Sequence, residues 1–204
     1  MLYLLAKEIS ERNLNFSIVP YTFNDKPDRF IVAQNIIHEV AKTFPKVKFE
    51  KHQYDEISPP YRKVFDKWAL KLTRQYDIVF FTNGVNLPAP EEAITINKEL
   101  AKFVGTREAP RNYDTQDLER IGIQDIPEYS PFKDVDKRFT AQLYEDEFLL
   151  ETLFPLTRSC LGSAEVTDYH EKPCKICYWC EEKYWAFGQS VSYTHLTLPT
   201  MELV

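Results

Sequence analysis

Apolar positions along the chain follow two periods, one near 3.6 residues and one near two. Residues 1–9, MLYLLAKEI, place Leu2, Leu4, Leu5, Ala6 and Ile9 as in a helix buried on most sides, with no Ser, Thr, Asp or Asn ahead of it as a cap. Residues 16–21, FSIVPY, read as a short β-rich run ended by a turn through Asn24, Asp25 and Pro27. Asp28 can cap a helix to Phe44, whose apolar face is Phe30, Ala33, Ile37, Val40, Ala41 and Phe44. Residues 47–50, VKFE, alternate like a half-buried strand. After Pro59 and Pro60 a second amphipathic helix is predicted to about residue 76, with Tyr61, Val64, Phe65, Trp68 and Leu72 on one face. Residues 78–81, IVFF, are apolar throughout, as in a parallel strand covered on both faces, and run into Thr82, Asn83 and Gly84.

Strand and helix alternate, so the predicted class is α/β, a small parallel sheet flanked by helices. Ligands in such sheets bind beyond the carboxyl ends of the strands, which points to residues 21–25 and 82–86. Residues 87–131, with Pro88, Pro90, Pro110 and Pro127 and mixed charge, read as an insertion over those ends. A third helix is predicted over 136–149, with Phe139, Leu143 and Phe148 inward, leading through 153–156 into Thr157, Arg158, Ser159 and Cys160. Residues 181–187 read as a short helix that packs Trp185 and Phe187 back on the domain.

Composition narrows the options. With 204 residues, 44% of them hydrophobic, the chain can bury one main core plus a small appendage. A net charge of −6 argues against a broad nucleic-acid or anionic-membrane surface, and no apolar run reaches the roughly 18 residues of a membrane span. Locally, Arg158, Lys172, Lys175 and Lys183 are outweighed by Glu165, Asp168, Glu171, Glu181 and Glu182. None of the five glycines precedes Gly84, so the first 83 residues hold no Gly-rich phosphate loop.

The four cysteines carry the strongest chemical signal. Cys160, Cys174, Cys177 and Cys180 form a C-x13-C-x2-C-x2-C array, and cysteines two residues apart can aim both sulfurs at one tetrahedral centre. Two disulfides would need an oxidising compartment; the chain opens without a charged stretch, an apolar run and a cleavage site, so a cytoplasmic location is expected. An iron–sulfur run of similar spacing continues to a Cys followed by Pro, whereas Glu181 and Glu182 follow Cys180. Structural Zn2+ is the leading expectation; His170, in the intervening loop, could replace one sulfur, but with four thiolates present it reads as a solvated loop residue. Residues 160–180 hold too little apolar surface to fold alone, and a structural zinc supplies on the order of 10 kcal/mol of folding free energy. A site closed by four thiolates leaves no position for water, so catalysis must lie elsewhere.

Residues 131–137 (PFKDVDK), 153–160 (LFPLTRSC), the C-x2-C-x2-C run and the following EEKYWAF stand in the order seen in one family. Over about residues 1–188 the chain resembles 7-cyano-7-deazaguanine synthases and their phage-associated relatives, which are PP-loop ATP pyrophosphatases. The resemblance implies an adenine nucleotide alpha hydrolase-like fold over 1–157, a zinc knob and closing helix over 158–188, and a tail over 189–204 foreign to the fold. Residues 191–204, VSYTHLTLPTMELV, resemble translated adapter sequence. The implied reaction is ATP-dependent conversion of 7-carboxy-7-deazaguanine and ammonia to the nitrile through an adenylated carboxylate, with ATP and Mg2+ bound. Membrane and nucleic acid are not expected as partners; a homodimer is an open assembly. By resemblance Lys137 faces the phosphates; Arg158, next to the cysteines, can clamp phosphate or carboxylate or pair with a nearby acid, and Asn83, Gly84 and Asn86, past the IVFF strand, can border the nucleotide or substrate or form an ordinary strand-ending turn. The family's SGGxDS loop is absent from the chain, and MLYLLAKEI resembles the helix that follows it. The expectation is therefore that Met1 lies just inside a longer protein and that the 204 residues bind ATP weakly and turn over little. Two alternatives stand beside this: another PP-loop amidating or tRNA-thiolating enzyme, and a non-catalytic zinc module presenting Tyr178, Trp179, Tyr184 and Trp185 to nucleic acid or protein.

Overall fold

The computed structural model describes residues 1–24, 29–56, 70–76, 81–82, 84, 86–90, 93–94, 119–121, 126–160, 162, 166–167 and 172–188. The chain divides into two compact units: Met1–Leu87 with Arg111–Asp136, and Pro88–Pro110 with Lys137–Val204. The second unit joins the cysteine segment to the third predicted helix, a larger body than the 158–188 knob read from the sequence.

The first unit mixes helices with short, mostly parallel strand pairs. Helix α1 (Leu2–Glu11) is followed by β1 (Ser17–Ile18), β2 (Tyr21–Asn24), α2 (Arg29–Thr43), β3 (Lys48–Phe49) and β4 (Gln53–Glu56). Strands β1 and β3 pair in parallel, as do β2 and β4 in the register Tyr21↔Gln53. The run expected as one strand over 16–21 is two, because Pro20 has no N–H to donate to a ladder. Its carbonyl still accepts from the Gln53 N–H at 2.9 Å, and the Ile18 carbonyl from Glu50 at 2.8 Å, so pairing carries across the break. Ala6, Ile9, Ile18, Val40 and Val47 are buried, and the Tyr3 ring meets Phe44 edge-on at 5.1 Å. Of these, Ala6 and Ile9 in α1 and Val40 in α2 are inward positions of the 3.6-residue pattern.

Strand β4 had no signature in the sequence, since QYDE carries no apolar alternation. Backbone pairing to β2 holds it, helped by Phe30, which stacks on His52 at 4.8 Å and lies against Tyr54 at 4.4 Å. Of the span 87–131 expected as an insertion, most lies outside the described residues, but two strands fall in its described part. There β6 (Glu119–Ile121) and β7 (Ile126–Tyr129) pair antiparallel, and β7 pairs in parallel with β5 (Phe81–Thr82). The expected helix before residue 70 and most of the IVFF strand lie outside the described residues.

In the second unit, α3 (Lys137–Asp146), a 3-10 turn (Phe154–Leu156) and α4 (Tyr178–Phe187) surround a small aromatic core. Phe154 and Phe187 lie 4.4 Å apart, with Tyr144 edge-on to both at 5.9 and 5.5 Å. Burial pushes the Tyr144 phenol up to about 12. Phe139 and Phe148 were expected inward on α3 and are instead exposed, Phe148 by 87%. The inward face is Lys137, Ala141 and Tyr144, at spacings of four and three. Phe139 lies opposite that face, and Phe148 follows the helix end at φ 56°, where the chain turns it outward. Gly188, at φ 63°, ends α4 in the left-handed conformation that glycine adopts most easily.

Candidate metal centre

The centre is built where an irregular loop meets a helix start. Cys177 is the extended cap of α4, at φ −89° and ψ 157°, and its carbonyl accepts the Cys180 and Glu181 N–H groups at 3.0 and 3.1 Å. The second C-x2-C step is therefore the first helical turn, which aims both sulfurs to one side. The helix N-terminus also favours negative sulfur there. The first step, Cys174 to Cys177, turns through Lys175 at φ 62°. Gly162 closes the loop from the other side. An added Cβ would lie 2.8 Å from Thr167 Cγ2 and 2.9 Å from Cys174 Cβ, so only glycine fits without moving a ligand.

All four sulfurs lie within 4.8 Å of one another. Zinc bound at about 2.3 Å to four tetrahedral sulfurs would space them about 3.8 Å apart. Cys174 Sγ and Cys180 Sγ are 3.9 Å apart, and all four cysteines are free thiols. Thus the residues present fit a four-thiolate metal ion. No family model, curated protein or solved structure matches the chain. The geometry of the cluster is therefore the firmest guide to what the chain binds.

Electrostatics within the cluster point the same way. Hydrogen bonds from the Cys177 and Cys180 thiols, with backbone N–H groups of Cys174 and Gly162 at 3.3 Å, hold the Cys160 thiol far below its usual range. Its bond to Cys160 drives the Cys180 thiol up, and burial raises Cys174 to about 11. Negative charge is thus favoured at Cys160 and disfavoured at Cys174 and Cys180, because adjacent thiolates repel. A divalent cation held by Cys160, Cys174, Cys177 and Cys180 would offset that repulsion and displace the remaining protons.

The other residues singled out from the sequence are dispersed. Lys137 opens α3 and is ion-paired with Glu182 of α4, whose side chain is 1% exposed. Glu182 also accepts from the Ala89 N–H at 3.3 Å and the Tyr178 hydroxyl at 3.4 Å. Arg158 is half-buried beside Thr157. In the first unit, Asn86 is half-buried and Gly84 exposed; a Cβ on Gly84 would make ordinary contact with Met1 Cβ at 3.7 Å, so that backbone does not require glycine. Asn83 and His170 lie outside the described residues. Of the aromatic residues near the cluster, Tyr184 is 58% exposed, whereas Tyr178 is buried and Trp185 lies half-buried beneath Arg138 at 4.6 Å.

Glu182 and Lys183 were missed. Lys183 Nζ donates to the Thr157 carbonyl at 3.0 Å and hydroxyl at 2.7 Å and sits 4.5 Å above the Phe154 ring. Burial, and then the nearby Lys137 charge, push its amine down to about 7. Glutamate and lysine are almost never fully buried unless paired, so a helix reading EEK gives no reason to place them inside. The one available signal is that Tyr178 and Glu182 stand four apart on a helix started by the metal turn.

Proposed function

We propose that Cys160, Cys174, Cys177 and Cys180 hold one structural Zn2+, and that the chain is a PP-loop ligase of the 7-cyano-7-deazaguanine synthase type. The observation that carries this reading is the four-sulfur cluster, set directly after Thr157-Arg158-Ser159 and continued by the helix EEKYWAF. Zinc there supplies folding free energy rather than reactivity, since four thiolates leave no open coordination position. The adenine nucleotide alpha hydrolase fold is part of the proposal, supported by the parallel pairs β1–β3, β2–β4 and β5–β7.

The residues do not fit ATP and Mg2+ in the same way. The SGGxDS loop is missing, Lys137 is committed to Glu182, and Gly84 forms no cradle that a Cβ would fill. No phosphate step is therefore assigned to these side chains. What remains within the chain's own means is recognition of the planar acid, with Arg158 as the donor suited to a carboxylate. Two experiments separate the halves of the proposal. Metal analysis of the purified chain should give one zinc per chain. Melting with 7-carboxy-7-deazaguanine at about 100 times its Kd should raise Tm by several degrees, with guanine leaving it unchanged. Zinc without that shift retires the substrate, and sustained conversion of ATP to AMP by these 204 residues contradicts the assignment of no phosphate chemistry to them.

A further inference from the structure

Helix α4 links the metal cluster to charged groups inside the second unit. It starts at the cluster, with Cys177 as cap and Cys180 in the first turn. One turn later it buries Glu182 and Lys183. Glu182 holds three partners: Lys137 of α3, the Ala89 N–H and the Tyr178 hydroxyl. Lys183 holds Thr157, the neighbour of Arg158.

A surface helix normally keeps its orientation through an apolar stripe. Here two of the three buried residues of the helix, Glu182 and Lys183, are charged, and the apolar contacts are confined to Tyr178 at its start and Phe187 at its far end. Ten residues are also too few for a helix that persists on its own. The start of α4 is fixed by two sulfurs facing a common centre. Slipping the helix by one residue would rotate Glu182 by about 100°, enough to break its bond to Lys137.

We propose that metal bound at the four cysteines fixes the rotation of α4 and thereby makes Glu182 the positioning residue of Lys137, locked when the cluster is loaded and released when it is emptied. The inference rests on the metal reading above and is independent of the substrate. It gives the buried carboxylate a purpose, since a carboxylate removed from water is costly unless its partner is held in place.

The test is amine footprinting of the full chain. The zinc-loaded protein is acetylated briefly, digested, and each lysine scored by mass spectrometry, with zinc counted on the same sample by native mass spectrometry. Chelation is expected to raise Lys137 reactivity about tenfold, reversibly on reloading, while the exposed Lys42 and Lys46 of the first unit stay within about twofold. A second arm avoids metal removal: Glu182→Gln, still carrying zinc, should expose Lys137 to a similar degree, because the amide keeps the shape but loses the charge. Lys137 that remains protected in zinc-bound Glu182→Gln, or after zinc has left, overturns the inference while sparing the metal site. A chain that takes up no zinc overturns both.

Discussion

The first unit buries Ala6, Ile9, Ile18, Val40, Val47 and Phe132, all apolar, whereas the second sets Thr167, Glu182 and Lys183 among Leu153, Phe154, Cys177 and Tyr178. Apolar burial is non-directional and tolerates volume-conserving change. Charged and thiol groups are directional and costly when one partner is missing. The first unit should therefore lose stability gradually as its side chains are trimmed. The second should depend on a few atoms, above all the four sulfurs.

Cys177→Ser should break that contrast most sharply. A hydroxyl is a poor substitute for a thiolate ligand, and losing the site should cost more than about 4 kcal/mol, with zinc below stoichiometric. Chemical denaturation with metal analysis checks this; a variant that keeps full zinc and stability would make the cluster incidental. Gly162→Ala should come next. Its Cβ falls 2.8 Å from Thr167 Cγ2 and 2.9 Å from Cys174 Cβ, so overpacking of about 1–3 kcal/mol and weaker zinc retention in a chelator titration are expected.

Val40→Ala sharpens the contrast from the other side. Val40 is 1% exposed in the apolar core, and trimming it should cost about 2 kcal/mol while leaving zinc content unchanged. Loss of zinc in that variant would show that the two regions do not differ as argued.

The smallest effect is a pH dependence. The Lys183 amine sits at about 7 in the folded chain against 10.5 unfolded, so between those values the unfolded state binds more protons and stability rises with pH. From pH 7 to pH 8 this contributes at most about 1 kcal/mol. Lys183→Met should abolish that increment, so that the stability difference between parent and variant grows by it from pH 7 to pH 8; parallel slopes would place the charge outside the core.

The sequence was most legible where one period of burial decided the structure. Helices α1 and α2 lie close to their expected spans because Ala6, Ile9 and Val40 keep the 3.6-residue rhythm. The cysteine cluster was legible because spacing alone can bring sulfurs together. Strand β4 was not, since a polar tetrapeptide becomes a strand only when a neighbour offers backbone partners. Phe139 and Phe148 misled because apolar residues are so often on the surface that their presence does not fix a face. Glu182 was hidden for the converse reason, a carboxylate buried only because Lys137, distant in sequence, meets it.

Zinc K-edge X-ray absorption on the purified chain tests the central claim most directly. One zinc per chain, with four sulfur ligands at about 2.3 Å and no lighter neighbour, is the predicted result. A chain without metal, or a shell in which nitrogen or oxygen replaces sulfur, would contradict it.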